Sequence, residues 1–308
     1  MRIMRIAFTM DDLPIYPHLA LPHGYTPASV AESVVKALGR HKLDGVYAFA
    51  NSWPLDVDPE TARIYDAWTS AGHFVGNHTH SHLLLNDFSS DEFISDINSA
   101  DELLKPWLGR APQKLFRHPL NLWGNTEEKR ASVTAHIKKL GYTPADVTSY
   151  FFEWEWDRAW RWLQHSGKIT EAEALKSEFI EFCIAQLAYD QRCCRQVFGH
   201  DVVGITLAHY VAFFAEVADP LLARMRREGI EFMPLADALA DPAYERVATV
   251  VTDSFHVYQQ KLSVAAGREM APVAPAYESM MKRVFELAAP LRPARRGGLV
   301  QNRRGPNP

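Results

Sequence analysis

The chain of 308 residues is 47% hydrophobic and 23% charged, with 16 Gly and 19 Pro, which excludes a disordered, collagenous or low-complexity protein. Its formal net charge of -4 is uneven: Arg292, Arg295, Arg296, Arg303 and Arg304 crowd the last residues without an acid, and removing those five charges leaves -9 on the rest, a poor partner for a phosphate backbone. No run approaches the ~18 consecutive apolar residues of a membrane helix, so neither nucleic acid nor membrane is expected as a partner.

Residues 5–10 (RIAFTM) read as a buried strand that runs straight into Asp11-Asp12, with Pro14 bending the chain beyond them. A strand this early leaves no room for a signal peptide, and a cytoplasmic location is the expectation. Further strands are expected over 45–50, 74–79, 114–117, 142–148, 204–209 and 231–235, and helices over 28–40, 59–71, 91–108, 126–140 and 212–228. Gly72, Gly109, Gly141 and Gly229 stand where helices should end as C-caps. The repeated strand–helix rhythm implies a parallel sheet with helices outside, and seven strands fit a barrel one short of the eight-stranded form. Residues 154–199 interrupt the rhythm as an amphipathic helical insertion rich in Trp154, Trp156, Trp160 and Trp162. The expected organisation is a barrel over 1–243 that includes this insertion, a helical extension over 244–290 with helices at 244–265 and 276–288, and a basic, solvated tail over 291–308. Cys183, Cys193 and Cys194 are odd in number, and two are neighbours, so they read as free thiols.

Four strand ends carry residues that do chemistry. Neighbouring strand residues point to opposite faces, so Asp11 and Asp12 share a site only where the strand bends; one can then bind a cation while the other serves as a base. Alone, the pair is as ordinary as a turn or helix-cap signal. Residues 76–82 (GNHTHSH) place three imidazoles in five positions. His78 and His82, four apart, would share a face of a helical turn and grip one metal, with His80 pointing elsewhere. Imidazole with carboxylate suits zinc, and iron, cobalt or manganese also fit. Two His and one Asp leave coordination positions open, as a catalytic site needs. Arg117, in Phe116-Arg117-His118-Pro119, reads equally as a partner that keeps a base carboxylate ionised or as a surface arginine before a turn. His209 closes an apolar strand; a lone histidine there is usually a boundary residue, but in a barrel it converges on the same mouth as the others.

These four segments, in this order, resemble the polysaccharide deacetylase family (carbohydrate esterase family four, the NodB homology domain). Thr9-Met10-Asp11-Asp12 is similar to its first motif, Asn77-His78-Thr79-His80-Ser81-His82 to its second, Arg117-His118-Pro119 to its third and Ile205-Thr206-Leu207-Ala208-His209 to its last. The similarity runs from about Arg5 to Tyr244 and implies a distorted seven-stranded (β/α) barrel. It further implies a divalent metal on Asp12, His78 and His82, with Asp11 as general base, Arg117 as its electrostatic partner, His209 as general acid and the Leu120 backbone N–H as an oxyanion donor. Two departures concern the substrate. Leu120 stands where the family has an aromatic residue, and Tyr150 stands where its fourth motif has the Asp that tunes the acid histidine, which leaves Asp146 or Glu153 to replace it. Leu120, Trp123, Tyr150, Trp154 and Tyr210 are the expected substrate contacts.

The leading expectation is a metal-dependent N-deacetylase acting on an N-acetylated glycan or on a small intracellular N-acyl compound. The two substrate classes weigh about equally: a groove suits a polymer, whereas a pocket capped by Phe151, Phe152 or Trp123 suits a small molecule. The alternative is a metal- or ligand-binding relative that no longer catalyses. A homo-oligomer stays open.

Overall fold

Alternation along Arg5–Leu13 (β1) sorts its side chains into two rows: Ile6, Phe8 and Met10 join the apolar layer beneath the helices, while Ala7, Thr9 and Asp11 face the interior of a curled sheet. This is a computed structural model, and it describes residues 3–16, 19–249 and 255–292. The basic tail, apart from Leu291 and Arg292, lies outside the described residues.

The other strands are Tyr47–Ala50 (β2), Phe74–Asn77 (β3), Leu115–Phe116 (β4), Thr143–Pro144 (β5), Ser149–Tyr150 (β6), Gly204–His209 (β7) and Glu231–Phe232 (β8). All pair in parallel in the order β5-β4-β3-β2-β1-β7-β6, and β8 also pairs with β1. The strand expected over 142–148 is split, for a topological reason. Its first part bonds to β4 (Ala145 N to Phe116 O, 2.8 Å) and its second to β7 (Thr148 N to Ile205 O, 2.8 Å), so one segment spans the two edges of the sheet and no single ladder can hold all of it. Counted as one, residues 143–150 make the seventh strand of a curled (β/α) barrel, as expected.

Outside the sheet lie Pro27–Arg40 (α1), Ala62–Ser70 (α2), Ser90–Leu103 (α3), Glu127–Lys139 (α4) and Ala212–Arg227, with the insertion, Glu153–His165 and Ile169–Phe198, between the last two. In chain order the insertion helices are α5 and α6, and Ala212–Arg227 is α7. Capping boxes at Thr26 and Ser89 satisfy the first backbone N–H groups of α1 and α3. Of the four glycines expected as helix caps, Gly72, Gly141 and Gly229 take positive φ, but Gly109 stays right-handed at φ -68. The insertion is mostly a buried face: Trp156 and Trp160 pack with Phe179, Phe182 and Phe213, at ring separations of 5.3–6.4 Å for the Trp156, Trp160 and Phe179 pairs. The three cysteines are buried free thiols. Among the described residues, no helix is long and apolar enough to cross a membrane.

Beyond the barrel, the helix expected over 244–265 appears as Tyr258–Ala265 (α8) after a 3-10 turn at Pro242–Thr249, and Glu278–Ala288 (α9) packs along α5. Tyr258 N donates to Val147 O (2.7 Å) and Gln259 Nε2 to Thr148 O (2.8 Å). The C-terminal extension is therefore bonded to the very segment that closes the barrel.

Candidate metal centre

Strict alternation would send Asp12 away from the inner row that holds Asp11. The β1–β2 register slips between Asp11 and Leu13, and Asp12 adopts φ 60, so the bulge turns both carboxylates to one mouth. His78 follows β3. The segment reaching His82 is an irregular loop rather than the expected helical turn, because Thr79 (φ 68) and His82 (φ 56) are left-handed and reverse the chain. The result is nonetheless convergence. Asp12 Oδ1 lies 3.7 Å from His78 Nε2 and 3.6 Å from His82 Nε2. Bonds of ~2.0–2.2 Å meeting tetrahedrally place donor atoms ~3.4 Å apart, so this donor set fits one small cation. Among the described residues it is the one group with such spacing.

The protonation states agree. His78 Nδ1 donates to Arg117 O at 2.8 Å, which leaves the Nε2 lone pair facing the site. Burial pushes the His82 imidazole down to about 4, a neutral ligand at pH 7. Burial alone would raise the Asp12 carboxyl, but His82, His209, His78 and the Tyr16 hydroxyl outweigh it and hold the carboxyl below its ordinary value. The Tyr16 hydroxyl is 2.8 Å from Asp12 Oδ1. His80 points elsewhere as expected, to Ser52 (2.8 Å) and Asp56 (3.3 Å). Six of the seven positive-φ residues other than glycine among the described residues, Asp12, Thr79, His82, Leu120, Asn121 and Phe152, lie in or beside this mouth. Strain concentrated in this way is typical of a functional site.

Arg117 extends the inner row of β4 and is 1% exposed, which rules out the surface-arginine reading. Its Nη1 donates to Asp11 Oδ1 (2.6 Å) and Thr9 Oγ1 (2.9 Å), its Nε donates to Ala145 O (2.7 Å), and its plane lies 3.9 Å from the Phe49 ring. Gly76 makes room for that ring, since a Cβ there would stand 2.6 Å from Phe49 Cδ1. Asp11 Oδ2 is then left 3.6 Å from His78 Nε2.

His209 ends the inner row of β7 opposite Asp11. Of the two candidates for its carboxylate, Glu153 takes the place: its Oε2 is 3.2 Å from His209 Nδ1. Asp146 instead accepts from Trp123 Nε1 at 2.6 Å. Burial would depress the His209 imidazole, but Glu153, with Asp12 and Asp11 beyond, raises it above its ordinary value. Glu153 sits at the start of α5, after the left-handed Phe152, so the insertion carries the partner of this histidine.

The mouth is a cavity of about 330 Å³. Leu120, Tyr150 and Trp154 line it, the last two with rings 5.5 and 5.9 Å from His209. Trp123 and Tyr210, both expected at the substrate, do not line it. Trp123 is buried against Asp146, and Tyr210 points outward to pack edge-on to Trp68. Phe151 is core, and the aromatic wall is completed by Phe255. Phe255, Glu155 and Arg158 escaped the sequence reading because they lie off the motifs; only the Trp154 helix hinted at the last two.

Lys261 also escaped it. This lysine of α8 is 1% exposed, donates to Asn121 O, lies 3.6 Å from the Trp123 ring and is 4.0 Å from Asp146. Burial pulls its ammonium down to about 7, against the pull of Asp146.

Residues 2–145 match the family model described as polysaccharide deacetylase. The peptidoglycan-N-acetylmuramic acid deacetylase PdaA of Bacillus subtilis (strain 168) is 23% identical over 133 residues, 43% of this chain and 45% of that protein, so the chain spans under half the length of this curated relative. Among solved structures, a mutant of a CE4 family pseudoenzyme with restored enzymatic activity superposes with a TM-score of 0.53 at 14% identity, covering 78% of this chain and 69% of that one; its wild type is from Bacillus anthracis. A polysaccharide deacetylase from Bacillus cereus superposes at 0.51 and 15% identity, covering 74% and 90%. Those likenesses establish the barrel, and the match to the polysaccharide deacetylase family model lies over residues 2–145, just under half of the chain, and takes in the segments around Asp11-Asp12, His78–His82 and Arg117.

Proposed function

We propose that the protein is a divalent-metal-dependent amide hydrolase that removes an acetyl or similar small acyl group from an N-acylated substrate. The observation that carries the reading is the convergence of Asp12, His78 and His82, with Asp12 Oδ1 3.7 and 3.6 Å from the two imidazole Nε2 atoms, beside Asp11 and His209. Asp12, His78 and His82 would hold the cation, with zinc favoured by the donor set. Such a cation, when bound, acidifies water and polarises an acyl carbonyl.

The protein's own groups do the rest. Asp11, held by Arg117, accepts a proton from the attacking water. Leu120 is left-handed (φ 51) and lines the cavity, and among the described residues its backbone N–H has no backbone partner; it is placed to donate to the carbonyl oxygen as negative charge develops there. His209, whose imidazole Glu153 raises above its ordinary value, delivers a proton to the leaving nitrogen. One amide and one water become a carboxylic acid and an amine. Glu153 also supplies the carboxylate that Tyr150 cannot, which removes the main reason for a non-catalytic reading.

On substrate, about 330 Å³ is near the lower end of the ~300–1,000 Å³ typical of small-molecule sites. Tyr150, Trp154 and Phe255 wall it in, which favours a compact N-acyl compound, or one residue of a glycan, over an extended chain. Product analysis of zinc-loaded protein against N-acetylated metabolites and oligosaccharides tests this; no acyl product from either set would refute the hydrolase.

A further inference from the structure

Lysine is almost never fully buried, and burying its charge is costly unless it is paired and hydrogen-bonded. Lys261 has no role in the reaction above, yet it is bonded to one short turn and held beside it by the residues around Trp123. Its Nζ donates to the Asn121 carbonyl, its charge lies against Trp123 at 3.6 Å, and its counter-ion Asp146 is fixed by the Trp123 indole at 2.6 Å. That turn, Pro119–Asn121, contains two consecutive left-handed residues, Leu120 (φ 51) and Asn121 (φ 52). Neither is glycine, so the conformation is strained and persists only where its surroundings hold it. Within the turn, the hydrogen bonds are Asn121 N to His118 O (2.9 Å) and Leu122 N to Pro119 O (3.1 Å); the Asn121 side-chain amide has no partner among the described residues. Lys261 reaches in from α8, which is itself bonded to the barrel-closing segment at Val147 and Thr148.

We infer that Lys261 is a positioning residue: by clamping the Asn121 carbonyl it holds the Pro119–Asn121 turn in its left-handed form and aims the Leu120 N–H at the substrate carbonyl. The C-terminal extension is thereby part of the site rather than an appendage, although the matched family segment ends at residue 145. The inference rests on the oxyanion role proposed for Leu120. A donor aimed by a distant clamp contributes to the transition state more than to ground-state binding, so the signature is a change in kcat with KM preserved.

The test uses zinc-loaded full-length protein and two variants. Lys261→Met combined with Asp146→Asn removes both members of the buried pair, a change that folded proteins often tolerate. It should lower kcat on an N-acetylated substrate about 10- to 100-fold, with KM within about threefold and zinc content unchanged. Lys261→Ala leaves room for a small amine, and added propylammonium should restore much of its lost kcat. A kcat within twofold of wild type, a loss that arrives with lost zinc, or no effect of propylammonium overturns the inference. Hydrogen–deuterium exchange of the peptide over 118–124 reads the clamp without turnover: protection should fall in Lys261→Ala and return with propylammonium. Unchanged protection overturns the clamp even in an active enzyme. A wild type inactive on every N-acyl compound would instead refute the hydrolase and leave the exchange result to decide the clamp.

Discussion

Replacing Arg117 with Met asks how much the proposed base depends on its partner. The guanidinium gives hydrogen bonds to Asp11, Thr9 and Ala145 at 2.6, 2.9 and 2.7 Å, and its face rests on Phe49. Methionine keeps the apolar contact but strands the Asp11 carboxylate, which is 4% exposed. Breaking one side of a buried ion pair costs about 3–5 kcal/mol, and the orphaned Ala145 carbonyl adds about 1 kcal/mol or more. At roughly 2 °C per kcal/mol for a chain of this size, Tm should fall by about 8–12 °C. The assay is thermal unfolding followed by circular dichroism with a chelator present, so that no cation compensates Asp11. Asp11→Asn strands the arginine in turn, and the double variant should recover about 1–3 kcal/mol relative to the sum of the singles. A single variant within about 1 kcal/mol of wild type, or strictly additive changes, would show that the 2.6 Å contact carries no coupling.

Other outcomes follow from the same geometry. Zinc at about 100 times its Kd should stabilise the wild type by about 2.7 kcal/mol, and His82→Ala should abolish that gain; calorimetry with and without zinc reads it. Because Glu153 raises His209 and the protonated imidazole is the proposed acid, activity is lost as pH rises through its folded pKa. Glu153→Gln should therefore move the alkaline limb of kcat/KM to lower pH, and an unmoved limb contradicts the assignment. Burial holds His118 at about 3 and His73 at about 4, below the unfolded value of 6.5. Stability should therefore drop by up to about 1.4 kcal/mol per pH unit for each as pH falls below 6.5, and His118→Phe, stacking on Phe93, should flatten part of that slope in acid titrations. Trp156→Ala should cost about 3–5 kcal/mol in urea unfolding, because the ring is fully buried among Phe179, Phe182 and Phe213.

The chemistry-bearing residues were legible because they end strands, and a parallel barrel gathers strand ends at one mouth. Asp11 and His209 end inner rows of the sheet and pair in register, which the strand ends suggested, whereas the burial of Arg117 was left open by its local sequence. Asp12 and His82 were legible as residue types but not as geometry: the sequence pattern suggested a bend at Pro14 and a helical turn, whereas a bulge and left-handed backbone do the work. Such backbone is invisible to periodicity, since Asp12, His82 and Leu120 carry no glycine to announce it. The walls were least legible. Trp123 and Tyr210 sit next to motif residues in sequence but pack away from the cavity, Trp123 against Asp146 and Tyr210 against Trp68, while Phe255 and Lys261 arrive from a C-terminal segment that shares no motif with the barrel.

The most direct test of the whole account is metal analysis of the purified protein by mass spectrometry, alongside the Asp12→Asn variant. The account predicts one tightly held divalent ion per wild-type chain, and loss of both ion and acyl-amide hydrolysis in the variant. A wild type that binds no divalent ion, or a variant that binds it equally well, would contradict it.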